Sequence, residues 1–89
     1  MIKGTTENGF KFTVDVEDIK DMEFIEMLAD MEERPQLLGR VIERLLGKDQ
    51  KKRMYDHVRD DKGRVSSDIV SDMFGEILNS VNESKEGKN

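Results

Sequence analysis

A chain of 89 residues with 20 acidic and 15 basic side chains, formal charge −5, has room for one domain and one core. That charge argues against general binding to a phosphate backbone, which draws on an excess of Lys and Arg. With no cysteine and one histidine the chain has no disulfide, no thiolate chemistry and no ordinary structural zinc site, and with no apolar run near the ~18 residues of a membrane span and no signal-peptide h-region it is expected to be soluble and intracellular.

The first elements in chain order form a hairpin over residues 2–15. Phe10, Phe12 and Val14 alternate with Lys11, Thr13 and Asp15 after a Glu7-Asn8-Gly9 turn, the period of a half-buried strand. A two-residue Asn-Gly loop would place Ile2 opposite the phenylalanine face. A three-residue loop with Gly9 in the left-handed region instead pairs Thr6 with Phe10, Gly4 with Phe12 and Ile2 with Val14, collecting the apolar side chains on one face. A one-residue slip would carry that set into water, so the second register is the one expected.

Asp15 or Asp18 can cap a helix over about 18–32, its acidic first turn matching the positive dipole end. Pro35 suits the first turn of a new helix and would break an old one, which places a bend at Glu33-Arg34. The helix over 35–46 carries Leu37, Leu38, Val41, Ile42, Leu45 and Leu46 on one half of its wheel, and Gly47 can stop it as a C-cap. A third helix over 48–59 has only Met54, Tyr55 and Val58 as large apolar residues, so it is expected to lie across the core. Asp60-Asp61-Lys62-Gly63 reads as a turn. Ser66 or Ser67 caps a fourth helix over 66–82, in which Ile69, Val70, Met73, Phe74, Ile77, Leu78 and Val81 keep the helical period. Residues 83–89 contain no apolar side chain and are expected to be disordered. The fold class is mainly α with a short N-terminal β-hairpin, a compact four-helix domain spanning 1–82.

No catalytic or ligand motif is present. If Gly63 took the glycine position of an EF-hand loop, the first, fifth and closing ligand positions would fall on Val58, Lys62 and Ile69, which cannot supply oxygen to a hard cation. His57 has the neutral-range pKa of a general base but stands in no nucleophile motif, so an enzyme is not expected, and neither metal nor cofactor. Lys48, Lys51, Lys52 and Arg53, with Arg59 beyond, form a basic cluster without interleaved aromatics, which reads as a solvated helix face.

The helix over 21–33 is the remaining candidate. Met22, Phe24, Ile25, Met27, Leu28, Ala29 and Met31 cover an apolar arc of roughly 220° at 100° per residue, where a surface helix needs little over ~100°. Methionine fills core gaps, so a helix covered on two sides accounts for part of this arc. The sharper expectation is that Met22, Ile25 and Leu28 face the core while Phe24, Met27 and Met31 form a pliable edge for an apolar helix or a second copy of the chain.

Gly9-Phe10-Lys11-Phe12-Thr13-Val14-Asp15, the acidic stretch Asp21-Met22-Glu23-Phe24-Ile25-Glu26-Met27-Leu28, Leu45-Leu46-Gly47-Lys48-Asp49-Gln50 and Asp61-Lys62-Gly63-Arg64-Val65 resemble, over about residues 2 to 80, the small tail assembly chaperones of long-tailed bacteriophages and prophages of Gram-positive bacteria. The resemblance implies a non-enzymatic protein of the host bacterial cytoplasm that coats the helical tape-measure protein, helps bring tail-tube subunits to it and is absent from the finished virion. Many such chaperones are made in a short form and a frameshifted, extended form, and by this resemblance the chain would correspond to the short one. The family supplies no motif that assigns contact residues. A small acidic regulator or adaptor that sequesters a host or phage protein is the alternative from another class.

Overall fold

Strands β1 (Ile2–Thr5) and β2 (Lys11–Val14) form an antiparallel pair in the register Ile2↔Val14, Gly4↔Phe12, continued by a Thr6–Phe10 closure. The Thr6 N–H donates to the Phe10 carbonyl at 2.9 Å and the Gly9 N–H to the Thr6 carbonyl at 2.9 Å. Gly9 takes φ +90°, a conformation that a β-carbon disfavours. This is the register expected from the sequence, and it puts Phe10, Phe12 and Val14 in the core. Thr6 is buried among them and satisfied, its hydroxyl accepting from the Phe10 N–H and donating to Asn8 Oδ1. The backbone is taken from a computed structural model that describes residues 1–87, with side chains described through residue 83.

The first helix of the sequence reading is divided in two. A single turn, α1 (Val16–Ile19), is capped by Asp15 through the Glu17 N–H, and α2 (Met22–Glu33) starts anew with Asp21 accepting from the Phe24 N–H at 3.0 Å. The division falls at Lys20-Asp21 because the Asp21 carboxylate satisfies an orphan donor of the new helix. The same carboxylate pairs with Arg44, pinning the start of α2 to the next helix. A 3-10 turn at Pro35–Leu37 leads into α3 (Leu38–Val58). Gly47 interrupts α3 with φ +85° and ψ 166°, so its two halves run in different directions, the break expected at that glycine. The first half buries Val41, Ile42, Leu45 and Leu46.

The second half of α3 backs onto the hairpin. Met54 enters the core completely, Arg53 lies 5.2 Å from the Phe10 ring centroid, and His57 Nε2 donates to the Asn8 carbonyl at 2.8 Å. The turn that follows is organised by Asp60, whose carboxylate accepts from the N–H groups of Lys62 and Arg64, both at 2.9 Å. Ser66 then accepts from the Ile69 N–H and opens α4 (Ser67–Gly87), which closes the core with Val70, Met73, Phe74, Ile77 and Val81. Helix α4 continues past position 82, where the apolar period ends, to Gly87; of the tail expected to be disordered, residues 88 and 89 lie outside the described residues. The fold is thus mainly helical with an N-terminal two-stranded hairpin packed on four helices, as expected.

Candidate protein-binding groove

The rotation of α2 about its own axis decides which of its side chains can meet a partner, and it differs from the expectation. Phe24 is 1% exposed and belongs to the core; Met27, Leu28 and Met31 are half-buried against it. Met22 is 64% and Ile25 45% exposed. The inward face is therefore Phe24, Met27, Leu28 and Met31, spaced i, i+3, i+4, i+7, and the outward apolar edge is Met22, Ile25 and Ala29. Phe24 is not a surface contact, and Met22 and Ile25 do not face the core. The physical reason is that a phenylalanine removes more apolar area from water than the isoleucine beside it, and the Asp21–Arg44 pair fixes the helix start against α3.

The three residues expected to bind a partner are dispersed. Phe24 is inside. Met27 lies in a shallow, mostly charged depression with Arg40, Glu43 and Arg44. Met31 alone lines an apolar groove of about 450 Å³ between the end of α2, the Pro35 turn and α4. Its other apolar lining residues are Pro35, Leu38, Phe74 and Leu78, and Ser67, Asp68, Ser71 and Gly75 complete the lining.

One rail of this groove is made of small residues at a four-residue spacing, Ser67, Ser71 and Gly75, which lie one above another on the α4 surface. A β-carbon built on Gly75 meets no atom within 4 Å, so nothing inside the fold requires glycine there. A glycine within a helix costs roughly 0.5–1 kcal/mol relative to alanine. By contrast, Gly4 is required by the core, since a β-carbon there would fall 2.6 Å from Phe12 Cζ. Pro35, Leu38, Ser71, Gly75 and Leu78 line the groove without being among the expected binding residues; their signal in the sequence is the Ser67, Ser71, Gly75 spacing on the flank of a strongly apolar helix.

The electrostatics of the two groove helices are one-sided. Helix α2 carries Glu23, Glu26, Asp30, Glu32 and Glu33, and α4 through residue 83 carries Asp68, Asp72, Glu76 and Glu83, with no Lys or Arg in either stretch. Among the described residues these nine carboxylates form no ion pair. The basic cluster on α3 is instead engaged locally, Lys51 with Glu43 at 3.3 Å, Lys52 with Asp56 at 3.0 Å, and Arg53 with the Lys11 carbonyl. Among the described residues, no helix is long and apolar enough to cross a membrane.

No protein-family model, curated protein or solved structure matches the chain.

Proposed function

We propose that this protein is a non-enzymatic tail assembly chaperone of a long-tailed phage or prophage, which holds an apolar helix of the tape-measure protein in the groove between α2 and α4 and assists assembly of the tail tube. In this reading it acts in the host bacterial cytoplasm and leaves before the virion is complete. The family assignment is drawn from the resemblance of the four quoted stretches. The observation that carries the binding role is the groove itself: Met31, Leu38 and Leu78 offer apolar side chains that are only half-buried, and methionine adapts to varied apolar surfaces. Such a chaperone needs an apolar site for affinity and surrounding charge to stay dispersed when empty, and the carboxylates of α2 and α4 supply that charge. Co-expression with the longest helical protein encoded nearby, followed by soluble co-purification, tests the reading. A tape-measure protein that stays insoluble in its presence counts against it.

The second reading, an acidic regulator or adaptor, draws on the carboxylates of α2, which no cation among the described residues pairs with. Ionic strength separates the two. A partner held only by exposed charge is released as salt rises, whereas one seated in the apolar groove is retained.

A further inference from the structure

The two edges of the hairpin are not equivalent. Thr6 and Phe10 are joined by a backbone hydrogen bond, so the alternation of an antiparallel ladder turns the N–H and C=O groups of Lys11 and Thr13 outward along β2 and those of Lys3 and Thr5 outward along β1. Along β2 they are covered: Gln50 bonds both groups of Thr13, and Arg53 donates to the Lys11 carbonyl at 3.4 Å. Along β1 no backbone of the described residues pairs with them, and Lys3 and Thr5 are exposed. A sheet with one covered edge and one open edge can gain a strand only at the open one.

We infer that β1 accepts an extended segment of another protein as a third strand, and that this segment is acidic at every second residue. Successive side chains of a strand alternate between faces, so Lys3, Thr5, Lys11 and Thr13 lie opposite the buried Phe12 and Val14. On that outer face Lys3, Lys11 and Arg53 line one shallow depression together with Thr5 and Thr13, and no carboxylate lines it. None of the three cations forms an ion pair among the described residues. Asp56, the next carboxylate along α3 after Arg53, is engaged by Lys52 and Arg59. A strand paired with β1 puts the residues opposite Lys3 and Thr5 on this same face. Glu or Asp there faces Lys3 directly and Lys11 across β1, whereas Lys or Arg there is repelled. The intervening side chains fall on the side of the sheet packed on α4, where the Glu76 carboxylate already accepts from the Glu7 N–H at 2.7 Å, and are therefore uncharged.

A second copy does not meet this description. Antiparallel pairing of β1 with its own copy would join the Lys3 and Lys11 rows of both chains on one face, and a lysine on an edge strand discourages such pairing. Nucleic acid would use the cations and leave the edge unused, and the one aromatic residue lining the depression, Phe12, is buried and offers no ring for base stacking. The site shares no lining residue with the groove between α2 and α4, so the two stand or fall separately.

The test uses the full chain and fluorescent peptides of about six residues, the length of an ordinary strand, in which Thr alternates with Glu, Gln or Lys. Affinity is read by fluorescence anisotropy and the site by amide hydrogen exchange. Exposed ion pairs contribute at most a few-fold each, so two or three of them make the Glu peptide bind about tenfold tighter than the Lys peptide, with the Gln peptide between. At saturation the Glu peptide slows exchange of the Lys3 and Thr5 amides and leaves those of α2 unchanged. Methylating the backbone nitrogens of its Glu residues keeps the charge, removes the donors that face β1 and abolishes binding. Lys3→Gln, a change on an exposed side chain, narrows the preference for Glu over Lys by about threefold. Equal binding of the three peptides overturns the acidic preference, and binding that survives methylation overturns strand addition. Failure of every peptide to bind overturns the proposal. So does an oligodeoxythymidylate that binds tighter than the Glu peptide, which assigns the face to nucleic acid, or a dimer whose Lys3 and Thr5 amides are protected before any peptide is added, which assigns the edge to a second copy.

Discussion

The side-chain amide of Gln50 pairs with both backbone groups of Thr13, as a neighbouring strand residue would. Gln50 Oε1 accepts from the Thr13 N–H at 2.8 Å and Gln50 Nε2 donates to the Thr13 carbonyl at 2.9 Å, with a further bond from Nε2 to the Leu46 carbonyl. One side chain thus covers part of the outer edge of β2, which a two-stranded sheet leaves open, and also satisfies a carbonyl released by the break at Gly47. Replacing Gln50 with Ala removes these bonds from a partly buried site and is expected to cost about 1–3 kcal/mol. Urea denaturation measures the loss, and hydrogen exchange at the Thr13 amide should accelerate in the variant more than exchange in α4.

Phe24 and Ile25 are neighbours in sequence and opposite in role. Phe24→Ala opens a cavity in the core and is expected to destabilise by about 3–5 kcal/mol. Ile25→Ala acts on an exposed side chain and is expected to stay within about 0.5 kcal/mol. Chemical denaturation of the two variants reads the rotation of α2 directly, and similar losses in both would contradict it.

The two glycines Gly4 and Gly75 are expected to respond with opposite sign to the same substitution. Gly4→Ala forces a β-carbon to within 2.6 Å of the Phe12 ring and is expected to lower stability by about 1–3 kcal/mol through overpacking. Gly75→Ala meets open space and improves helix propensity, raising stability by up to about 1 kcal/mol. Thermal melts of the pair give the sign of each effect.

How much of this could be read from the sequence follows from how each feature is determined. The hairpin register was legible because a slip of one residue inverts the faces of Phe10, Phe12 and Val14, and the α3 break because Gly47 is the one residue there that accepts a positive φ without cost. The core face of α4 was legible from its period for Val70, Met73, Phe74, Ile77 and Val81, whereas Ile69, on the same period, is 43% exposed. The rotation of α2 was not, since an arc of roughly 220° can turn either flank inward, and the choice depends on how Phe24 packs into a core formed by other elements, with Arg44 holding the helix start. The strict i, i+3, i+4, i+7 spacing of Phe24, Met27, Leu28 and Met31 was the local clue. The Gln50–Thr13 pairing and the groove depend on residues brought together only by folding. Of the expected binding residues, Met31 alone reaches the groove.

Asp56 links stability to pH. The hydrogen bond from Lys52 Nζ at 3.0 Å, aided by Arg59, holds its carboxyl below the ordinary carboxylate value of 3.8. Because the folded pKa is the lower one, the contribution is present above the unfolded pKa and is lost as pH falls through the folded value. Asp56→Asn is therefore expected to be less stable than the parent chain at about pH 7 and to converge with it at about pH 2.5. Urea midpoints at the two pH values check the sign.

The groove as the seat of an apolar helix is tested most directly by filling it. Gly75→Leu places an apolar side chain where a β-carbon meets nothing within 4 Å, so the fold is expected to keep its melting temperature or gain slightly, as leucine is the better helix former. Co-purification of the variant and the parent chain with the co-expressed tape-measure protein, each normalised to folded protein by circular dichroism, then reads the site alone. The expected result is loss of capture by a well-folded Gly75→Leu chain while the parent retains it. Undiminished capture by that variant would contradict the assignment of the groove.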